Sequence, residues 1–286
     1  MLFRSSFGTA GCNLACKYCQ NWEISTSRQF ETLAAPAAPR ALAAAAADVG
    51  AAGVAFTYND PIVFAEYAID TAVACHEAGL LAVAVSAGWI SPGPCDELFG
   101  AVDAANIDLK GFTDDFYRRV TGGRLNDVLD TLVRVRELGT WLEITTLLIP
   151  GRNDSDDEIA AECAWIVSEL GDEVPVHFSA FHPAHRMLDT PRTPASTLER
   201  ARAIARDAGI AHVYLGNVRT RDGATTRCAG CGGLLVDRVG YRVADYRITP
   251  DGACPRCGRH VPGIWDPAGP PPPTGQWWPR RLAIGA

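Results

Sequence analysis

The run Gly11-Cys12-Asn13-Leu14-Ala15-Cys16-Lys17-Tyr18-Cys19 constrains this chain more than any other feature, because it sets three cysteines at C-x3-C-x2-C spacing within eight residues. Three thiolates on one short loop can hold three irons of a 4Fe-4S cluster, which leaves the fourth iron without a ligand from the motif. An iron with open positions can bind and reduce a small molecule, whereas a cluster held by four cysteines usually only passes electrons. Cys12, Cys16 and Cys19 are therefore expected at a site of chemistry.

Seven of the ten cysteines fall into two tight sets, these three and Cys228, Cys231, Cys254 and Cys257. The N-terminus shows no apolar leader with a cleavage site, so the sets read as metal ligands of a cytoplasmic protein rather than disulfides. Cys75 and Cys163 lie in helical patterns and are expected in the core, while Cys95 falls in a Pro/Gly loop. A net charge of −7 gives a nucleic-acid partner no support from the whole chain. No apolar run approaches the roughly 20 residues that a membrane helix needs.

From residue 38 onward strand and helix patterns alternate. Helices are expected near 38–49, 61–78, after Pro94, and near 125–138, 155–170 and 195–208. Strands are expected at Val54–Phe56, Leu80–Val85, up to Leu109, at Trp141–Leu148, at Val174–Ser179 and at His212–Leu215. Short apolar strands between helices suit a parallel sheet buried on both faces, and six or seven such units favour a partial or complete β/α barrel. Thr57-Tyr58-Asn59-Asp60, Ser86, Asp108-Leu109-Lys110, Ile149-Pro150-Gly151 and Ser179-Ala180-Phe181-His182 all lie at strand C-terminal ends, the face where such barrels place active sites. The segment Phe3–Gly8 is strand-like and would bring the cysteine loop to the same rim. Residues 224–263 break the alternation, and the tail from 266 is Pro-rich. The expected division is a barrel over 1–220, a four-cysteine module over 224–265 and a tail over 266–286.

The cysteine spacing resembles that of the radical S-adenosylmethionine superfamily. Gly8-Thr9-Ala10-Gly11, Cys19-Gln20-Asn21-Trp22 and Phe181-His182-Pro183 resemble the radical enzyme of the AmmeMemoRadiSam system, a group similar to the activating enzymes of pyruvate formate-lyase. The resemblance implies a partial TIM-like barrel and an open iron that chelates the methionine end of S-adenosylmethionine. It also implies a reductant such as flavodoxin or ferredoxin and reductive cleavage to a 5′-deoxyadenosyl radical. Thr57-Tyr58-Asn59-Asp60-Pro61 stands where activating enzymes carry Gly-Gly-Glu-Pro, so Asp60 would receive the methionine ammonium; the plainer reading is a helix N-cap before Pro61, and both can hold together. Asp108 would accept from the ribose and Lys110 would pair with the carboxylate; otherwise they form a strand-end ion pair. Ser86, Tyr58 and Asn59 would add cofactor contacts, and His182 would pack near the adenosine. Relatives carry a longer segment before the motif than the eleven residues that precede Cys12 here, so the first barrel units are expected to be incomplete.

Cys228-x2-Cys231 and Cys254-x2-Cys257 form two knuckles, each followed by glycine. Four thiolates so spaced suit a closed tetrahedral zinc ribbon, with a rubredoxin-like iron site or a second cluster as alternatives. Three functions are compatible with the whole chain: hydrogen abstraction from a protein or peptide substrate, radical modification of a small molecule, and a non-catalytic iron–sulfur or zinc scaffold.

Overall fold

A computed structural model describes residues 5–27, 37–240 and 242–265. Seven strands, β1 (Ser5–Phe7), β2 (Gly53–Phe56), β3 (Leu81–Ser86), β4 (Ala104–Asp108), β5 (Trp141–Leu148), β6 (Val176–Ala180) and β7 (Val213–Gly216), form one sheet in sequential order. Every neighbouring pair is parallel. Six helices make the crossovers: α1 (Pro39–Asp48), α2 (Ala65–Glu77), α3 (Pro92–Gly100), α4 (Leu125–Glu137), α5 (Asp156–Glu169) and α6 (Ala195–Asp207). Among the described residues β1 and β7 do not pair, so the barrel is partial. The pleat explains its two faces. Along β5, Leu142, Ile144, Thr146 and Leu148 are buried toward the helices, while Glu143, Thr145 and Leu147 alternate onto the other face.

Local signals set the helix starts. Pro39 and Pro92 occupy first-turn positions, where a missing N–H costs nothing. Ser155 caps α5 by accepting from Glu158 N at 3.3 Å, with Asp156, Asp157 and Glu158 in the first turn. Phe56, Phe99, Phe178 and Phe181 are fully buried between sheet and helices. Each would cost about 3–5 kcal/mol on truncation to alanine. Cys75 and Cys163 lie in this core as expected. Cys95 does too, because α3 begins at Pro92 and not after Pro94, so Cys95 is a helix residue and not a loop residue.

The C-terminal segment adds a second sheet, β8 (Thr226–Arg227), β9 (Leu234–Val239) and β10 (Arg242–Tyr246), antiparallel in the order β10-β9-β8. Its own buried apolar set is small: Leu235, Val236, Ile248 and Val261 beside Cys228 and Cys254. The module is tied to β7, where Tyr214 and Thr226 share a hydrogen bond of 2.9 Å and the Arg238 guanidinium lies over the Tyr214 ring at 5.9 Å. The Pro-rich tail lies outside the described residues.

Candidate active site

The cysteine motif is an irregular loop fixed from several sides. Gly11 N donates to Ile24 O at 2.9 Å and closes the loop on itself. Ala15 N and Lys17 N donate to Thr121 O and Val120 O at 2.8 and 2.9 Å. Those two carbonyls end a π-type turn over Tyr117–Thr121, where helix-end acceptors otherwise have no partner. From the other side, Arg186 N donates to Lys17 O at 2.9 Å, and the Trp22 and His185 rings stack at 5.3 Å. Nothing in the sequence patterning marked the π turn, because its role lies in backbone acceptors rather than side chains.

Asn59 holds the approach to the loop. Its Oδ1 accepts from Thr9 N at 2.9 Å, and its Nδ2 donates to Gly11 O at 2.8 Å and to Thr9 Oγ1 at 3.1 Å. Gly8 is required for this fit, since a Cβ there would stand 2.3 Å from Thr57 O and 2.7 Å from Asn59 Oδ1. Tyr58, at the end of β2, adopts φ 75 although it is not glycine. It stands within the run that replaces the glycines of the activating enzymes. Its O accepts from Asn21 Nδ2 at 2.7 Å, and its hydroxyl pairs with Ser6 Oγ at 2.8 Å.

A cavity of about 290 Å³ opens beside the loop. Cys12, Cys16 and Cys19 line one side; Tyr58, Asn59, Asp60 and Ser86 line a second; Asp108 and Lys110 close a third. Of the expected rim, the structure brings Thr57, Tyr58, Asn59, Asp60, Ser86, Asp108, Lys110 and Ser179 into this lining, whereas Leu109, the Ile149-Pro150-Gly151 turn, Ala180, Phe181 and His182 lie outside it. Thr145, Leu147 and Asn217 also line it. Sequence reasoning missed these three, although the period-2 alternation of β5 carried the signal for the first two.

Asp60 is buried and engaged on both oxygens. Oδ1 accepts from Ser86 Oγ at 2.9 Å and from Ile62 N at 3.2 Å, and Oδ2 accepts from Ala87 N at 2.8 Å. It is therefore the N-cap of the 3-10 turn Pro61–Phe64 while also facing the cavity. Burial raises its pKa against those hydrogen bonds. Lys110 Nζ lies 2.9 Å from Asp108 Oδ2 on the cavity wall. Burial works against the Lys110 charge, but Asp108 beside it, with Tyr18 and Cys16, holds its pKa well above the usual lysine value. Asn153 locks this strand end by donating to Lys110 O and Leu147 O at 2.9 and 3.0 Å. Desolvation pushes the Cys12 thiol up to about 11 and raises Cys16 as well, with Lys110 lowering both. Buried thiols beside a fixed ammonium suit binding as thiolates to a positively charged iron centre.

The two cysteine sets differ in a way that separates their chemistry. Cys228, Cys231, Cys254 and Cys257 bring four sulfurs within 4.8 Å of one another, with 3.5 Å between Cys228 and Cys257 and 3.7 Å between Cys231 and Cys254. A tetrahedral ion with bonds of about 2.3 Å needs sulfurs about 3.8 Å apart, so this set fits one metal ion of the zinc or iron type. Gly232 and Gly258 follow the knuckles at φ 67 and 72, and a Cβ added at either would meet nothing within 4 Å. They serve the left-handed turn. Among the described residues, Cys12, Cys16 and Cys19 form no such compact single-ion set; they share the lining of one cavity, and three thiolates there suit three irons of a larger iron–sulfur cluster.

The chain shows these likenesses to known proteins. It is 37% identical over 257 residues to an uncharacterized protein of Methanocaldococcus jannaschii, covering 90% of this chain and 76% of that one. It is 26% identical over 174 residues to the pyruvate formate-lyase-activating enzyme of Clostridium pasteurianum, covering 60% of this chain and 72% of that one. Its fold is similar to that of Streptococcus suis SuiB bound to S-adenosylmethionine, with a TM-score of 0.61 at 11% identity over 76% of this chain and 52% of that one. Residues 7–163, from the end of β1 into α5, match the Radical SAM superfamily, and with three motif cysteines on one cavity of a partial barrel the chain belongs to that family.

Proposed function

We propose that this chain holds a 4Fe-4S cluster through Cys12, Cys16 and Cys19, binds S-adenosylmethionine in the adjoining cavity, and abstracts hydrogen from a protein or peptide substrate. Electrons would come from a flavodoxin- or ferredoxin-type reductant. Residues 1–220 would be the catalytic barrel and 224–265 a metal-bearing module. The observation that carries this reading is the convergence of the three cysteines with Asp60, Asp108 and Lys110 on one cavity. Similarity to an enzyme whose name describes activation of pyruvate formate-lyase supports a protein substrate.

Cys12, Cys16 and Cys19 would hold a 4Fe-4S cluster, which would supply the electron for reductive cleavage of S-adenosylmethionine. The chain's own residues bind and orient. Asp108, the more exposed member of its pair, accepts from ribose hydroxyls. Lys110, held charged, pairs with the methionine carboxylate. Asp60 offers the ammonium a carboxylate already fixed by Ile62, Ser86 and Ala87. Tyr58 and Asn59 set the backbone that runs between the cofactor and the cysteine loop.

Anaerobic reconstitution with iron, sulfide and dithionite should yield 5′-deoxyadenosine from S-adenosylmethionine, and Cys16→Ala should abolish it. A wild type fully loaded with iron and sulfide that forms none would refute the enzyme reading. A mass change on a co-expressed protein supports the protein substrate; a change confined to small molecules replaces it with the small-molecule reading.

A further inference from the structure

The π-type turn that holds the cysteine loop also reaches the strand end that carries Lys110. Both links run through Tyr117, which is fully buried and lies outside the cavity lining. Its hydroxyl accepts from Lys110 N at 3.1 Å. Its carbonyl accepts from Gly122 N and from Thr121 Oγ1, both at 2.8 Å, and so closes the turn. The last carbonyls of the same turn, Val120 O and Thr121 O, take Lys17 N and Ala15 N from the cysteine loop. β4 ends at Asp108, so Lys110 lies beyond the strand ladder. Its main chain is held instead by two side chains, Tyr117 at the N–H and Asn153 at the carbonyl, the latter at 2.9 Å. Two glycines press this connection against its neighbours: a Cβ at Gly111 would stand 2.8 Å from Phe116 Cδ1, and one at Gly123 would stand 2.8 Å from Leu14 Cδ2 in the cysteine loop.

Packing alone would be served by phenylalanine at this position. A buried phenol needs a partner, and here the partner is the main-chain N–H of a residue on the cavity wall. We propose that Tyr117 is a positioning residue that fixes Lys110 against the cysteine loop, and through Lys110 sets where the carboxylate of S-adenosylmethionine docks. This rests on reading Lys110 as the partner of that carboxylate and the three cysteines as cluster ligands. Groups that must act together gain from being held in one geometry, and the hydrogen bonds behind a binding residue supply part of that hold. Without the hydroxyl, Lys110 keeps Asn153 and loses its second main-chain anchor, so its ammonium is no longer in register with the loop.

The test uses the full chain with its cluster reconstituted anaerobically and left oxidised, so that S-adenosylmethionine binds without turnover. Binding is measured by equilibrium dialysis, beside iron and sulfide content. Tyr117→Phe keeps the ring and should weaken binding about three- to tenfold at wild-type iron and sulfide content, the range of one lost hydrogen bond. Lys110→Met removes the ammonium through which the hydroxyl acts. In that background Tyr117→Phe should change binding by less than about twofold, because the effects of coupled residues do not add. A merely structural role would weaken binding by the same factor in both backgrounds. Equal factors, no change in either background, or loss of iron and sulfide from Tyr117→Phe overturn the assignment of Tyr117 alone. A wild type that loads no cluster, or loads one and binds no S-adenosylmethionine, overturns the proposed function and this assignment with it.

Discussion

Glu162 tests whether burial in this fold has the energetic weight that the structure implies. It lies on α5 facing the sheet, 2% exposed, with Thr146 of β5 as its hydrogen-bond partner. Desolvation pushes its pKa from 4.5 up to about 8, with Glu158 adding to the rise and Thr146 opposing it. The folded state therefore keeps a proton that the unfolded state has lost throughout the window from 4.5 to about 8. In that window the unfolded chain binds fewer protons than the folded one, so stability falls as pH rises. One pKa unit is worth about 1.4 kcal/mol, and integrating from pH 5 to pH 7 gives a loss of about 2.5 kcal/mol from this single carboxyl. Glu162→Gln keeps an acceptor for the Thr146 hydroxyl and cannot ionise. Urea denaturation of both proteins at pH 5, 6 and 7 should give curves that diverge by about that amount, the wild type losing more. Parallel curves would refute the claim that Glu162 is buried neutral. The consequence reaches the site, because the neighbours of Thr146 on the opposite face of β5, Thr145 and Leu147, line the cavity.

Other outcomes follow from single contacts. Gly8→Ala drives a methyl to 2.3 Å from Thr57 O, so it should cost about 1–3 kcal/mol in thermal unfolding and lower the iron held after reconstitution. Glu143→Gln bears on acid stability: burial opposes the Glu143 charge, but the His177 ring bonded at 2.7 Å, with Trp141 beside it, holds the carboxyl down to about 2. Stability contributed by this group is present above its unfolded value of 4.5 and lost as pH falls toward about 2, and the variant should lack that loss in an acid titration followed by circular dichroism. Cys254→Ser should release the module's metal and expose residues 224–265 to protease, because so small an apolar set cannot hold the segment alone; a protected, metal-free segment would contradict this. Cys12→Ala should instead abolish the cluster and leave the metal of the four-cysteine site in place, as read by metal analysis.

The elements that the sequence marked well are those whose signal is local. The strand Trp141–Leu148 appears with the expected ends because Leu142, Ile144 and Leu148 fall on one face of a run rich in apolar and β-branched residues, and α5 starts where Ser155 and three acidic residues complete a cap. Asp60 shows the limit of such signals. Asp before Pro specifies an N-cap, and the structure makes that cap; the same carboxylate also faces the cavity, because Ser86 and Ala87 at the end of the neighbouring strand reach across to it. The cap and the cavity-facing position are held by one carboxylate. What the sequence could not display is long-range backbone pairing. The cysteine loop depends on carbonyls of Val120 and Thr121 roughly a hundred residues away, and no side-chain pattern records an acceptor on the main chain. The three strands of the C-terminal module left a weak signal because they are short and their register shifts, and their buried apolar set is small, with Leu235 and Val236 beside Cys228 and Cys254. In both places the chain is arranged around cysteines, and there ordinary periodicity stops.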